Sequence, residues 1–124
     1  MAPWLFLFLG GGLGALSRHS VGALMLHLTG WQGHWSTMTV NVTGCFLMGF
    51  LATMVGLKFS LGLTGRYFFF TGFLGAYTTF STYMLENFLL FEEGRWVLAL
   101  TNMFGSVALG IVAMFSGVAL ARAL

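Results

Sequence analysis

Charge is what this sequence has least of. Only 6% of its 124 residues are charged, against roughly 25% in an ordinary soluble domain. The five basic and three acidic residues stand at Arg18, Lys58, Arg66, Glu86, Glu92, Glu93, Arg95 and Arg122, leaving charge-free runs over 1–17, 19–57, 67–85 and 96–121. So thin a supply excludes a water-facing surface of normal composition. The net charge of +2 is too small to attract nucleic acid and fits ordinary membrane-protein loops. Cysteine is nearly absent too: Cys45 stands alone, so no disulfide can form within the chain, and the thiol reads as a small packing residue. No acid pair, catalytic triad or metal-ligand cluster is spaced for chemistry, which argues against an enzyme. His19, His27 and His34 read as interface histidines. The first apolar segment also lacks a basic lead-in and an A-x-A site, which argues against a cleavable signal peptide.

What the chain has instead is apolar length. Hydrophobic residues make up 58% of it, and mean hydropathy is +0.91. A membrane-crossing helix needs about 20 such residues. The run 19–57 is too long for one helix and is divided by the polar stretch from His27 to Thr37. The resulting expectation is one all-α membrane domain over 1–124, with four transmembrane helices at about 2–28, 37–57, 66–91 and 96–121. Trp31 and Trp35 mark a headgroup level between the first two.

The third helix carries the anomaly. Gly72-Phe-Leu-Gly75-Ala-Tyr-Thr78-Thr79-Phe80-Ser81-Thr82-Tyr83 mixes two glycines with hydroxyls and aromatic rings inside an apolar span. Gly72 and Gly75 weaken helix continuity, and the β-branched pair Thr78-Thr79 does nothing to restore it. This predicts a helix broken near the membrane centre, around 75–78. Non-helical backbone survives in a membrane only where protein buries it or a wet cavity takes it. Freed carbonyls and hydroxyls would then be available to an ion.

The other helices supply partners for that break. Gly10, Gly14 and Gly22 share a face of the first helix, Gly11 and Ala15 form a second small pair, and Arg18 continues the glycine face. Arg18 either reaches for the interface or faces a polar vestibule. Thr37, Asn41 and Cys45 share a face of the second helix, and an unpaired Asn41 amide in hydrocarbon would cost several kcal/mol, roughly. Asn41 reads as lining an ion path or as an interhelical hydrogen bond. Phe80, Tyr83 and Asn87 fall on one stripe, and the fourth helix repeats small and polar residues at Asn102, Ser106, Gly110, Ala113 and Gly117. With four spans, Lys58, Arg66 and Arg122 share one side, and Arg95 faces the other, joined by Arg18 if it reaches out. That margin hardly selects an orientation. Insertion both ways up, and hence an antiparallel dimer, is expected.

These residues resemble a known family. Gly10-Gly11-Gly12-Leu-Gly14-Ala15-Leu-Ser-Arg18 resembles the GGxxGAxxR signature in the first helix of the Fluc/CrcB fluoride channels. Thr39-Val-Asn41-Val-Thr-Gly44-Cys-Phe-Leu-Met-Gly49 resembles their TxxVNxxGxFxxG-type second helix, and the Gly72–Tyr83 stretch resembles their GFxGGxTTFSTF core. Asn102 with Ser106 is similar to the polar line of their fourth helix. The resemblance covers the whole chain in order. It implies a dual-topology homodimer in the bacterial inner membrane, with two fluoride pores and a structural sodium ion at the dimer interface. By that resemblance the backbone carbonyls of Gly75 and Thr78 hold the sodium, Phe80 and Tyr83 form an aromatic box, and Asn41 lies on the fluoride path. Ser81, Thr82 and Ser106 belong to its hydroxyl track, while Arg18 and Glu86 match charged family positions. Tyr83 replaces the usual phenylalanine, and Ala76 replaces the second core glycine.

The chemistry agrees. Fluoride is small and tightly hydrated, so a pore must offer compact donors, and Asn41, Ser81, Thr82 and Ser106 supply them. The positive rims of Phe80 and Tyr83 can touch an anion without gripping it, as conduction requires. The expected role is passive export of cytoplasmic fluoride that entered as the neutral acid. Two other readings compete with it. A transporter of the small multidrug resistance type depends on a glutamate embedded in its first helix, and residues 1–17 contain no acid. A non-conducting packing subunit would explain the glycine stripes and leave the polar break unexplained.

Overall fold

The computed structural model describes residues 2–31 and 33–124. It is all-helical, with no strand among the described residues. Four rods follow one another. The first is α1 (Pro3–Thr29) and the second α2 (His34–Leu57). The third is made of α3 (Leu63–Arg66), a π-helical segment (Tyr67–Leu74), α4 (Gly75–Tyr77) and, after an interruption, α5 (Ser81–Glu92). The fourth is α6 (Trp96–Ala123).

Local chemistry sets several ends. Pro3 opens α1, where its missing N–H costs nothing. Gly30 closes it in the left-handed conformation, φ 71°, donating its N–H to the Leu26 carbonyl at 2.9 Å. Gly94, also at φ 71°, turns α5 into α6. Both α2 and α6 are long and apolar enough to cross a membrane. Arg18 dilutes α1, and the third rod is divided into pieces.

The rods approach through glycine. A Cβ at Gly10 would collide with the Phe68 carbonyl and one at Gly14 with the Phe73 carbonyl, so α1 lies directly on the main chain of the π-helical segment. Gly72 answers from the other side: a Cβ there would come within 2.8 Å of the Leu7 carbonyl oxygen and 3.0 Å of the Gly11 nitrogen. The α2–α6 pair uses the same device, with Gly49 against the Met114 carbonyl and Gly117 against the Phe46 carbonyl. Gly14→Leu is therefore expected to push α1 off the third rod at a cost of about 1–3 kcal/mol. The midpoint of thermal unfolding in detergent would report it. Gly56→Ala, at a position with open space around it, should leave that midpoint nearly unchanged.

The interruption falls at Thr78–Phe80 and not at 75–78. Gly75 is regular helix, φ −63° and ψ −35°, and the chain leaves the helix at Thr78, ψ 162°. Glycine was the wrong marker, because Gly72 is used for close packing. The break is made by the residues that capture the backbone after it.

The interior is small and unusually polar. Val40, Leu74, Tyr77, Tyr83, Leu90, Ala99 and Ala121 are buried beside Thr37, Asn87, Asn102 and Ser106. The outside carries the large apolar groups, and Phe8, Phe104 and Phe115 are each at least 70% exposed. That inversion suits a lipid surround and not water.

Candidate anion pathway

Asn41 organises the break. Its Nδ2 donates to the Thr79 carbonyl at 2.8 Å, and its Oδ1 accepts from the Thr79 N–H at 2.8 Å. One side chain from α2 thus satisfies both backbone groups of a residue that no helix serves. The Thr79 hydroxyl continues the work on the far side, accepting the Thr82 N–H at 3.4 Å and donating to Thr82 Oγ1 at 3.2 Å.

The diversion frees carbonyls. In continuous helix the N–H groups of Thr79 and Thr82 would serve Gly75 and Thr78; here they serve Asn41 and Thr79. The Thr78 carbonyl accepts a long bond, 3.4 Å, from Arg18 Nη1. Arg18 therefore turns inward and does not reach for the interface. The Gly75 and Thr78 carbonyls, stripped of helix donors, are the kind of oxygen pair that unwound membrane helices offer a monovalent cation, and Gly75 is exposed on the surface of the single chain.

Beside the break opens a cleft of about 610 Å³, lined among others by Arg18, His19, Ser36, Thr37, Thr79 and Thr82. Ser81 and Thr82 begin α5 and are exposed. Phe80 is 74% exposed and pairs only with Tyr83, whose ring centre lies 6.0 Å away at a tilt of 44°. Tyr83 is buried, and its hydroxyl donates to the Met103 carbonyl of α6 at 2.7 Å. Glu86 accepts a 2.7 Å bond from Thr37 Oγ1, and its second oxygen is buried without a partner.

Ser106 sits apart from that cleft. It lines a separate cavity of about 300 Å³ with Cys45, Gly110, Met114 and Phe115, and its hydroxyl donates to Asn102 Oδ1 at 3.3 Å. The structure thus gathers Arg18, Asn41, Thr78, Phe80, Thr82 and Tyr83 around the break, and the cavity of Ser106 adjoins the one at Asn41, Thr78 and Phe80 through their shared lining residues Cys45 and Met114. Three cysteines, histidines or acids close enough to hold a metal do not occur among the described residues.

Known proteins share this pattern. Residues 5–118 match the profile of the family described as CrcB-like protein, Camphor Resistance (CrcB). The chain belongs to the CrcB-like family. Among its relatives, a Rhizobium etli protein named "Fluoride-specific ion channel FluC" is 41% identical over 124 residues, covering 100% of this chain and 99% of its own. A protein of the same name from Rhizobium meliloti is 44% identical, covering 93% of this chain and 92% of its own. One from Opitutus terrae is 39% identical over 94% of this chain and 90% of its own. Family and composition together mark this CrcB-like chain as a membrane protein, with α2 and α6 long and apolar enough to cross a bilayer.

Two features of the CrcB-like fold escaped the sequence. Asn41 clamps main chain, which spacing alone could not say. Asn87 and Asn102 are hydrogen-bonded to each other at 2.9 Å across the α5–α6 hairpin. A signal for that pair existed: two amides in apolar helices, about equidistant from the turn at Gly94, must find partners or pay desolvation.

Proposed function

We propose that this chain is a fluoride-selective channel that lets cytoplasmic fluoride leave passively and so lowers fluoride toxicity. It is a conduit and not an enzyme. The observation that carries the reading is the interruption at Thr78–Phe80, held by Asn41 and flanked by exposed hydroxyls and an exposed ring. Relatives covering 100% and 93% of the chain under the name fluoride-specific ion channel support it.

The residues divide the work. Arg18 makes the cleft electropositive and draws anions to its floor. Ser81 and Thr82, at the start of α5, replace lost water with hydroxyl donors, helped by the positive end of the helix. The rims of Phe80 and Tyr83 then face the anion, attractive enough to accept it and too weak to hold it. The remaining N–H of the Asn41 amide is free to donate beside them. Ser106 extends the hydroxyl track once its proton turns away from Asn102. Glu86, anchored by Thr37, is the charged group next to this route.

The functional unit proposed is an antiparallel homodimer with two pores in the bacterial inner membrane. Exposed Phe80 and Gly75 need a cover, and a second copy supplies matching groups. With Arg18 turned inward, Arg95 alone opposes Lys58, Arg66 and Arg122, a difference small enough to permit both orientations. The Gly75 and Thr78 carbonyls of both copies would hold a structural sodium ion, which would supply a fixed positive charge there.

Purified protein in fluoride-loaded liposomes tests the function with a fluoride electrode. A channel empties the vesicles within seconds; a packing subunit leaves them full, and the reading falls.

A further inference from the structure

Tyr83 is tied to α6 at both ends. Its hydroxyl donates to the Met103 carbonyl at 2.7 Å. Its main-chain carbonyl accepts from Asn87 Nδ2 at 2.8 Å, Asn87 Oδ1 accepts from Asn102 Nδ2 at 2.9 Å, and Asn102 Oδ1 accepts from the Ser106 hydroxyl at 3.3 Å. Asn87 is 1% exposed and Asn102 5%. Every hydrogen in this series points the same way, from Ser106 towards Tyr83. The direction cannot reverse, because the last group is a carbonyl and only accepts.

Such a series is costly inside a membrane protein unless it is complete. Packing alone would be served as well by leucine at both asparagines. What the amides add is orientation. Each must present its oxygen to one neighbour and its nitrogen to the other, so the relay fixes the rotation of α5 against α6 at the turn that carries Tyr83. The phenol does the same from the ring end. Tyr83 therefore has two independent ties where a phenylalanine would have one.

We infer that Asn102, acting through Asn87, is a positioning residue that fixes the edge Tyr83 presents to the passing anion, and that the Tyr83 hydroxyl is its partner in that task. This rests on the fluoride-channel reading above. Either tie alone still restrains the ring; without both, the ring swings and the aromatic rim no longer faces the route. Asn102 itself need not touch the ion.

The test is a double-mutant cycle on the full chain in liposomes, reading fluoride efflux and chloride leak together. Tyr83→Phe removes the phenol tie and keeps the ring. Asn102→Leu removes the amide tie and keeps the volume. Each alone should slow fluoride efflux only a few-fold, and the double variant should fall below the product of the singles by about tenfold, within the range of coupled neighbours. The fluoride-to-chloride ratio should drop with it. Losses that simply multiply, or a ratio that stays constant while the thermal midpoint falls, would overturn the inference and leave Asn102 a packing residue. If Asn102→Leu yields no folded protein, Asn102→Ala enters the same cycle with the same criteria. An unmodified chain that releases no fluoride sinks the channel reading instead, so the two failures are distinct.

Discussion

Replacing Asn41 by leucine is expected to abolish fluoride efflux while leaving the α2–α6 pair assembled. The side chain contributes two hydrogen bonds, and both go to Thr79 main chain. Leucine fills the same volume and offers neither. A buried backbone group left without a partner costs about 1–3 kcal/mol, so losing both costs about 2–6 kcal/mol and should lower the population of the interrupted conformation, and efflux with it, by roughly 30-fold or more. The break would relax either into longer helix, which buries Thr78 and Thr79 differently, or into loose chain. In both cases the hydroxyls at the start of α5 lose their register with Phe80. Asn41→Asp makes the more discriminating companion. It still accepts the Thr79 N–H and, as the carboxylate, cannot donate to the carbonyl, so its efflux should fall between wild type and leucine. Fluoride-electrode traces on equal amounts of reconstituted protein decide the order. Normal efflux from Asn41→Leu would mean the interruption supports itself.

Phe80→Ile should suppress efflux by a comparable factor for a different reason. Phe80 lies outside the interior, 74% exposed, and among the described residues its one aromatic neighbour is Tyr83. Little packing energy is at stake within one chain, so folding and assembly should survive. What disappears is a ring with a positive rim; isoleucine offers a hydrophobic surface that repels a partly dehydrated anion. The expected signature is an assembly that elutes with the unmodified protein on gel filtration but whose vesicles stay loaded, with efflux reduced at least about a hundredfold, the scale of losing preorganised electrostatic contacts. Efflux at the wild-type rate would remove the aromatic pair from the mechanism. The contrast between the two variants is informative, because Asn41 holds the backbone and Phe80 is proposed to meet the ion.

Much of the fold was legible because membrane helices obey length and side-chain economy. Charge-free runs located the rods, and the Gly10–Gly14 face correctly announced a close neighbour. The Gly11–Ala15 pair did so only in part: a Cβ at Gly11 would meet open space, while its main-chain nitrogen lies against Gly72. The interruption of the third rod was legible in kind and misplaced by a few residues, since composition signals irregularity while a distant amide decides where it falls. The π-helical segment Tyr67–Leu74 left no signature among its phenylalanines; its register follows from main-chain contact with α1. Arg18 was ambiguous from spacing, because a long side chain can reach either way, and the Thr78 carbonyl settled its direction. The Asn87–Asn102 bond needed both helices in view at once.

The Asn41 clamp also has a consequence for how the protein is made. Asn41 leaves the ribosome 38 residues ahead of Thr79, so α2 can be in place when the interrupted crossing arrives at the translocon. The late segment can hand its unpaired backbone straight to a waiting amide without passing through lipid bare. A chain lacking that amide should be delayed at this step, and quality-control proteases would meet it before any ion does.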